Sequence, residues 1–111
     1  MLATSVLLAF VLASAGSSGL RGVVTRGPTQ PVCMVGRPCT KPAANVTLTF
    51  TRGGVPHRVV STKTGIYRIA LRPGTYRLTI AGARFGYMPH TVVVPAGRLV
   101  VRNVSIDTGI R

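Results

Sequence analysis

The sequence predicts an all-β fold: a seven-stranded β-sandwich of immunoglobulin-like size, placed after an N-terminal export segment. Three observations carry this. After residue 19, Gly and Pro interrupt short apolar stretches at close intervals, which leaves no long helical pattern. Residues 45–51 alternate, with Val46, Leu48 and Phe50 on one face and Thr47, Thr49 and Thr51 on the other. Residues 62–76 place a glycine corner before two alternating segments that flank Pro73-Gly74.

The first 15 residues read as a signal peptide. Residues 2–12 are nearly continuously apolar, and Ala13-Ser14-Ala15 has the small-x-small form of a cleavage site near Ala15. About 15 apolar residues are too few to cross a bilayer, which takes about 20. No Lys or Arg lies between Met1 and Gly19, so the basic residues that usually open such a segment are missing. No Cys follows the apolar run, which argues against a lipid anchor.

The folded domain is expected over residues 19–107. Its first strand covers residues 19–26. Residues 27–44 form a long loop, because Pro28, Pro31, Pro38 and Pro42 remove ladder donors. The second strand covers residues 45–51, Gly53-Gly54 turns the chain, and the third covers residues 55–61, with Pro56 marking an edge. The fourth and fifth strands, 66–71 and 75–81, read as a hairpin about Pro73-Gly74. That register pairs Leu71 with Tyr76, Ile69 with Leu78 and Tyr67 with Ile80, so every apolar partner shares one face. The sixth strand is 90–94, Pro95-Ala96-Gly97 turns the chain, and the seventh is 98–106.

Cys33 and Cys39 are the only cysteines, and an exported chain meets an oxidising compartment, so they are expected to pair. A metal site built from them with His57 and His90 lacks the tight Cys spacing of zinc sites; no metal or cofactor is expected.

The charge is lopsided: 14 Lys and Arg against a single acid, Asp107. Such a chain attracts polyanions: nucleic acid, anionic lipid or acidic wall polymer. The basic residues are spread singly from Arg21 to Arg111, without the clustered runs of nucleic-acid patches. The hairpin register makes Arg68 and Arg77 near-diagonal neighbours on the outer face. These two, with Tyr87 in a later loop, are the candidate ligand contacts, although the loop aromatics Phe85 and Tyr87 can instead cap the end of the sandwich. Tyr67 and Tyr76 fall on the apolar face and are assigned to the core.

One acid excludes paired-carboxylate chemistry. A Ser-His-Asp triad needs Asp107 with His57 or His90 and Ser61 or Ser105, and no Gly-x-Ser-x-Gly elbow is present. The chain is therefore read as no enzyme.

Several short motifs carry a resemblance. Leu20-Arg21-Gly22-Val23-Val24 resembles the opening strand of carboxypeptidase regulatory-like domains. Lys41-Pro42-Ala43-Ala44-Asn45-Val46 is similar to that family's Pro-x-x-Ala/Asn-x-Val segment. Thr62-Lys63-Thr64-Gly65-Ile66-Tyr67 resembles its Thr-Asp-x-x-Gly-x-Phe/Tyr corner, followed by Leu71-x-Pro73-Gly74-x-Tyr76. Gly86-Tyr87-x-Pro89 and Val92-x-Val94 look like its late-strand signature. The resemblance implies a prealbumin-like Greek-key sandwich, related to collagen-adhesin B-type repeats. The acid usual after the corner Thr is replaced by Lys63 and Thr64, which removes a cation-binding corner. Some adhesin repeats form a Lys–Asn isopeptide bond. Lys41 and Lys63 are poorly placed to reach Asn103, so none is expected here.

The Arg, Ala and Val bias matches GC-rich bacterial coding. The resulting expectation is a secreted or cell-envelope module, non-catalytic, with a structural or interaction role at the bacterial cell surface. The alternatives are a module binding carbohydrate or anionic cell-wall polymer, and a charge-driven nucleic-acid binder.

Overall fold

A computed structural model describes residues 17–111. The expected signal peptide lies outside the described residues. Among the described residues there is no helix, and ten strands form two sheets packed face to face. They are β1 (Gly19–Gly27), β2 (Lys41–Pro42), β3 (Thr47–Arg52), β4 (Val55–Val60), β5 (Ile66–Ala70), β6 (Gly74–Ile80), β7 (Tyr87–Met88), β8 (Thr91–Val94), β9 (Leu99–Val101) and β10 (Val104–Asp107).

The second sheet has the order β4-β3-β6-β8. The first is built around β1, whose nine residues serve two sets of neighbours. Its first half pairs with β5 and, in parallel, with β9; its second half pairs with β2 and, in parallel, with β10. The last expected strand is thus two, broken at Arg102-Asn103. Strands β2 and β7 are two-residue additions that sequence pattern did not show. The expected loop at 27–44 does contain a strand, β2, and Pro42 is tolerated there because its strand lies at the sheet edge.

The core is the alternation made solid. Leu20 and Val24 of β1, Leu48 and Phe50 of β3, Tyr67 of β5, Tyr76, Leu78 and Ile80 of β6, and Val104 and Ile106 of β10 are all buried between the sheets. Phe50 and Tyr67 stack across the interface with ring centroids 6.0 Å apart.

One expected pairing is wrong. Strands β5 and β6 do not form a hairpin: β5 pairs with β1 in one sheet, and β6 with β3 and β8 in the other. The chain crosses between sheets at Pro73-Gly74, where Gly74 has φ of 151°. Two facing strands bury the same alternating residues as two paired strands, so the apolar pattern could not tell them apart. Tyr76 fixes the crossing, its hydroxyl donating to the Arg72 carbonyl at 2.8 Å.

The corner before β5 is a built turn. Gly65 has φ of 79°, its N–H donates to the Thr62 carbonyl, and its own carbonyl accepts from Val24 N–H at 2.6 Å. The buried Ser61 hydroxyl accepts from Val46 N–H and donates to the Ala43 carbonyl, tying this corner to the start of β3. Cys33 and Cys39 form a disulfide with Cα atoms 5.5 Å apart, closing a small exposed loop between β1 and β2.

Candidate functional site

The sheet crossing moves the expected basic pair apart. Arg68 and Arg77 both point outward, but from opposite sheets, so they sit on opposite faces of the sandwich. Arg77 stands between Thr51 and Thr91, on a face that also carries Thr47, Thr49, Thr75 and Thr79. Arg68 has a different neighbour: it lies directly across from Arg21 of β1.

Arg21–Arg68 is the feature that stands out on the surface. Cβ atoms of directly opposed residues lie about 5 Å apart, and like charges there are destabilising. The pair sits in an apolar frame. Ile66 and Val23 oppose each other two positions along, and Val101 flanks Arg21 on the other side; they are 50%, 39% and 45% exposed. Ala70, Gly19 and Leu99 continue the same face. The result is an outer sheet face with exposed aliphatic groups around two arginines. Arg21 was the residue missed. Its outward direction was readable, since it falls between the inward positions of Leu20 and Gly22. Its partner was not, because that needed the β1–β5 pairing.

No carboxylate balances this pair. The one acid, Asp107, binds Arg111 at 3.1 Å and accepts the Gly109 N–H at 2.8 Å. The Arg111 hydrogen bond, then the Gly109 N–H, hold its carboxyl below the usual range.

Tyr87 is half-buried on β7, opposite Ile106, and its hydroxyl donates to the Leu78 carbonyl at 2.8 Å. It closes the end of the sandwich. Phe85 is exposed, and its ring lies over Gly109, where a Cβ would come within 2.4 Å of it.

Ser105, His90 and Asp107 line one recess beside Tyr87. They are not wired as a triad. Asp107 is turned to Arg111 and Gly109, and the His90 ring packs edge-on against Tyr87 at 4.8 Å. His57 lies elsewhere, on β4 opposite Phe50. Among the described residues no three His, Cys, Asp or Glu side chains come together as metal ligands. Asn103 has a structural task, its Oδ1 accepting from Val23 N–H at 3.0 Å.

The model of one protein family, described as "Carboxypeptidase regulatory-like domain", matches residues 19–107. Two solved structures share the fold. The Bacillus anthracis TIE protein superposes with a TM-score of 0.55 at 13% identity, over 83% of this chain and 16% of that one. A DUF3823 family protein from Parabacteroides merdae ATCC 43184 superposes with a TM-score of 0.51 at 21% identity, over 83% of this chain and 46% of that one. This chain thus spans less than half of either. No curated protein matches the sequence.

Proposed function

The chain belongs to the carboxypeptidase regulatory-like domain family, and from that premise we propose that it is an exported, non-catalytic interaction module that holds an anionic polymer of the bacterial cell surface. The Arg21–Arg68 face is the contact surface. The observation that carries this reading is the direct opposition of two arginines on an exposed sheet face with no acid to neutralise them. A protein keeps such a repulsive pair at a cost, and an anionic partner reverses the sign of that cost. The aliphatic frame adds contact area and lowers the local dielectric around the guanidiniums.

Export is supported by the apolar segment at residues 2–12, the small-residue site at Ala13-Ser14-Ala15 and the Cys33–Cys39 disulfide. A non-catalytic role is supported by the engagement of Asp107 with Arg111.

The test is binding across a salt series to polyglutamate, polyphosphate, duplex DNA and neutral dextran. The proposal expects the two simple polyanions to bind with a steep salt slope and dextran not to bind. Salt-independent binding of dextran would favour a carbohydrate reader. Tight binding of DNA alone would favour the nucleic-acid reading.

A further inference from the structure

The loop closed by Cys33–Cys39 holds apolar side chains out in solvent. Val32 and Met34 are exposed there, and Val35 is fully so. A single exposed valine needs no explanation, but adjoining apolar side chains held away from the core mark a contact surface.

The tip is a built turn. Arg37 N–H donates to the Met34 carbonyl at 3.2 Å, and Gly36 has φ of 82°. Glycine takes that left-handed backbone without strain, which puts Val35 at the outer corner. A Cβ on Gly36 would meet nothing within 4 Å, so the corner stands clear of both sheets. Behind it the Cys33–Cys39 bond closes the loop, and Thr29 N–H donates to the Cys39 carbonyl at 2.9 Å. Pro31 and Pro38 fix φ on either side. The loop is thus restrained before any partner arrives, which lowers the ordering cost of a contact.

Two observations define the partner. The first is charge. Arg37 and Lys41 are exposed in and beside the loop, and the loop carries no acid. At its foot, Pro28 and Thr40 line a recess with Phe85 and with Asp107, the chain's one acid, which Arg111 takes. The second is shape. The tip projects instead of forming a groove, so a partner must yield around it. A lipid headgroup layer does this: an apolar tip enters the acyl boundary while nearby cations stay at the phosphates. Phe85, at the same end, repeats the combination, being exposed with the Arg84 guanidinium 5.7 Å from its ring centroid.

We propose that the Cys33–Cys39 loop docks the module on an anionic lipid surface. Met34 and Val35 enter the interface, and Arg37 and Lys41 rest on lipid phosphates. A short apolar tip alone gives marginal binding, so the contact needs its cations as well. This goes beyond the polymer reading and uses none of the residues of the Arg21–Arg68 face.

The test is cosedimentation of the folded protein with vesicles of mixed phosphatidylglycerol and phosphatidylcholine, beside vesicles of phosphatidylcholine alone, at about 0.15 M salt. The anionic vesicles are expected to bind about tenfold more tightly. The double change Met34→Ser, Val35→Ser should weaken that binding about tenfold, and Arg37→Gln about fivefold. Both apolar residues are exposed, so their loss leaves the core intact. The chain has no tryptophan, so the indole of Val35→Trp reports alone. Its emission should shift to the blue on anionic vesicles and be quenched by lipid brominated on the acyl chain. Val93→Trp, on the exposed face of β8, should show neither. Met34→Ser, Val35→Ser should leave polyglutamate binding unchanged, so the two readings fail separately. No binding to anionic vesicles, undiminished binding after the serine changes, absence of quenching, or equal losses from Arg37→Gln and Arg77→Gln would overturn the assignment. Self-association of the native protein that the serine changes abolish would give the tip to a second copy, and would overturn it as well.

Discussion

The Tyr67 hydroxyl donates to the main-chain carbonyl of Arg102, at the point where β9 ends and before β10 begins. Gly22 stands directly across from Tyr67, and a Cβ on Gly22 would lie 2.3 Å from that same carbonyl oxygen. The missing side chain lets the break in the last strand approach β1, and Tyr67 then holds it there. Burial pushes the Tyr67 phenol up to about 12, against a weaker opposite effect from the Arg102 charge. The aromatic residue of the Thr-x-x-Gly-x-Tyr corner is therefore both a core side chain and the clasp of the final strand.

Tyr67→Phe should destabilise the fold by about 1–2 kcal/mol, because the Arg102 carbonyl loses its donor. The phenol titrates near 10 in the unfolded chain and about 12 in the fold. Its contribution is whole below pH 10 and is lost as pH rises toward 12. Urea unfolding across that window should show a steeper loss for the native protein than for Tyr67→Phe.

Gly65→Ala should cost more than a surface glycine change. Its φ is 79°, and the new Cβ would lie 2.5 Å from the Val24 carbonyl oxygen. Strain and collision together predict about 2–4 kcal/mol by denaturant unfolding. Gly97→Ala, with φ of 74° but open space around it, should cost only about 1 kcal/mol.

Reduction of Cys33–Cys39 should lower stability by about 2 kcal/mol, the chain-entropy value for so short a loop. The loop is exposed and outside the core, so far-ultraviolet circular dichroism should keep its β signal. Thiol titration before and after reduction checks the bond itself, since two free thiols in the native protein would exclude it.

The final turn should loosen in acid. The Asp107 carboxyl is lowered from 3.8, first by the Arg111 hydrogen bond and then by the Gly109 N–H. Its contribution is present above pH 3.8 and is lost as pH falls through the lower folded value. Amide shifts of Gly109 and Ile110 should follow that titration, and Asp107→Asn should abolish it.

Much of this architecture was legible in the sequence. Leu48 and Phe50 alternate with Thr47, Thr49 and Thr51, and the inward face of β3 could be read directly. The disulfide was legible because only two cysteines exist. The sheet crossing was not. Tyr67, Ile69 and Leu71 face Tyr76, Leu78 and Ile80 across the core, and this apolar pattern is identical to that of a hairpin. That error placed Arg68 beside Arg77 instead of Arg21. Tyr87 read as a loop aromatic, either a ligand contact or a cap on the sandwich end, and only the fold reveals the Leu78 carbonyl that takes its hydroxyl.

The central claim is that the opposed arginines of β1 and β5 hold an anionic polymer. The most direct measurement compares polyglutamate affinity across a salt series for the native protein, the Arg21→Gln and Arg68→Gln single variants, their double variant and Arg77→Gln. The account predicts that the double variant loses about two units of the log–log salt slope, one for each anion contact, while Arg77→Gln on the opposite face changes little. Equal losses from Arg77→Gln and from either single change at Arg21 or Arg68 would mean that net charge alone draws the polymer, and would contradict the claim.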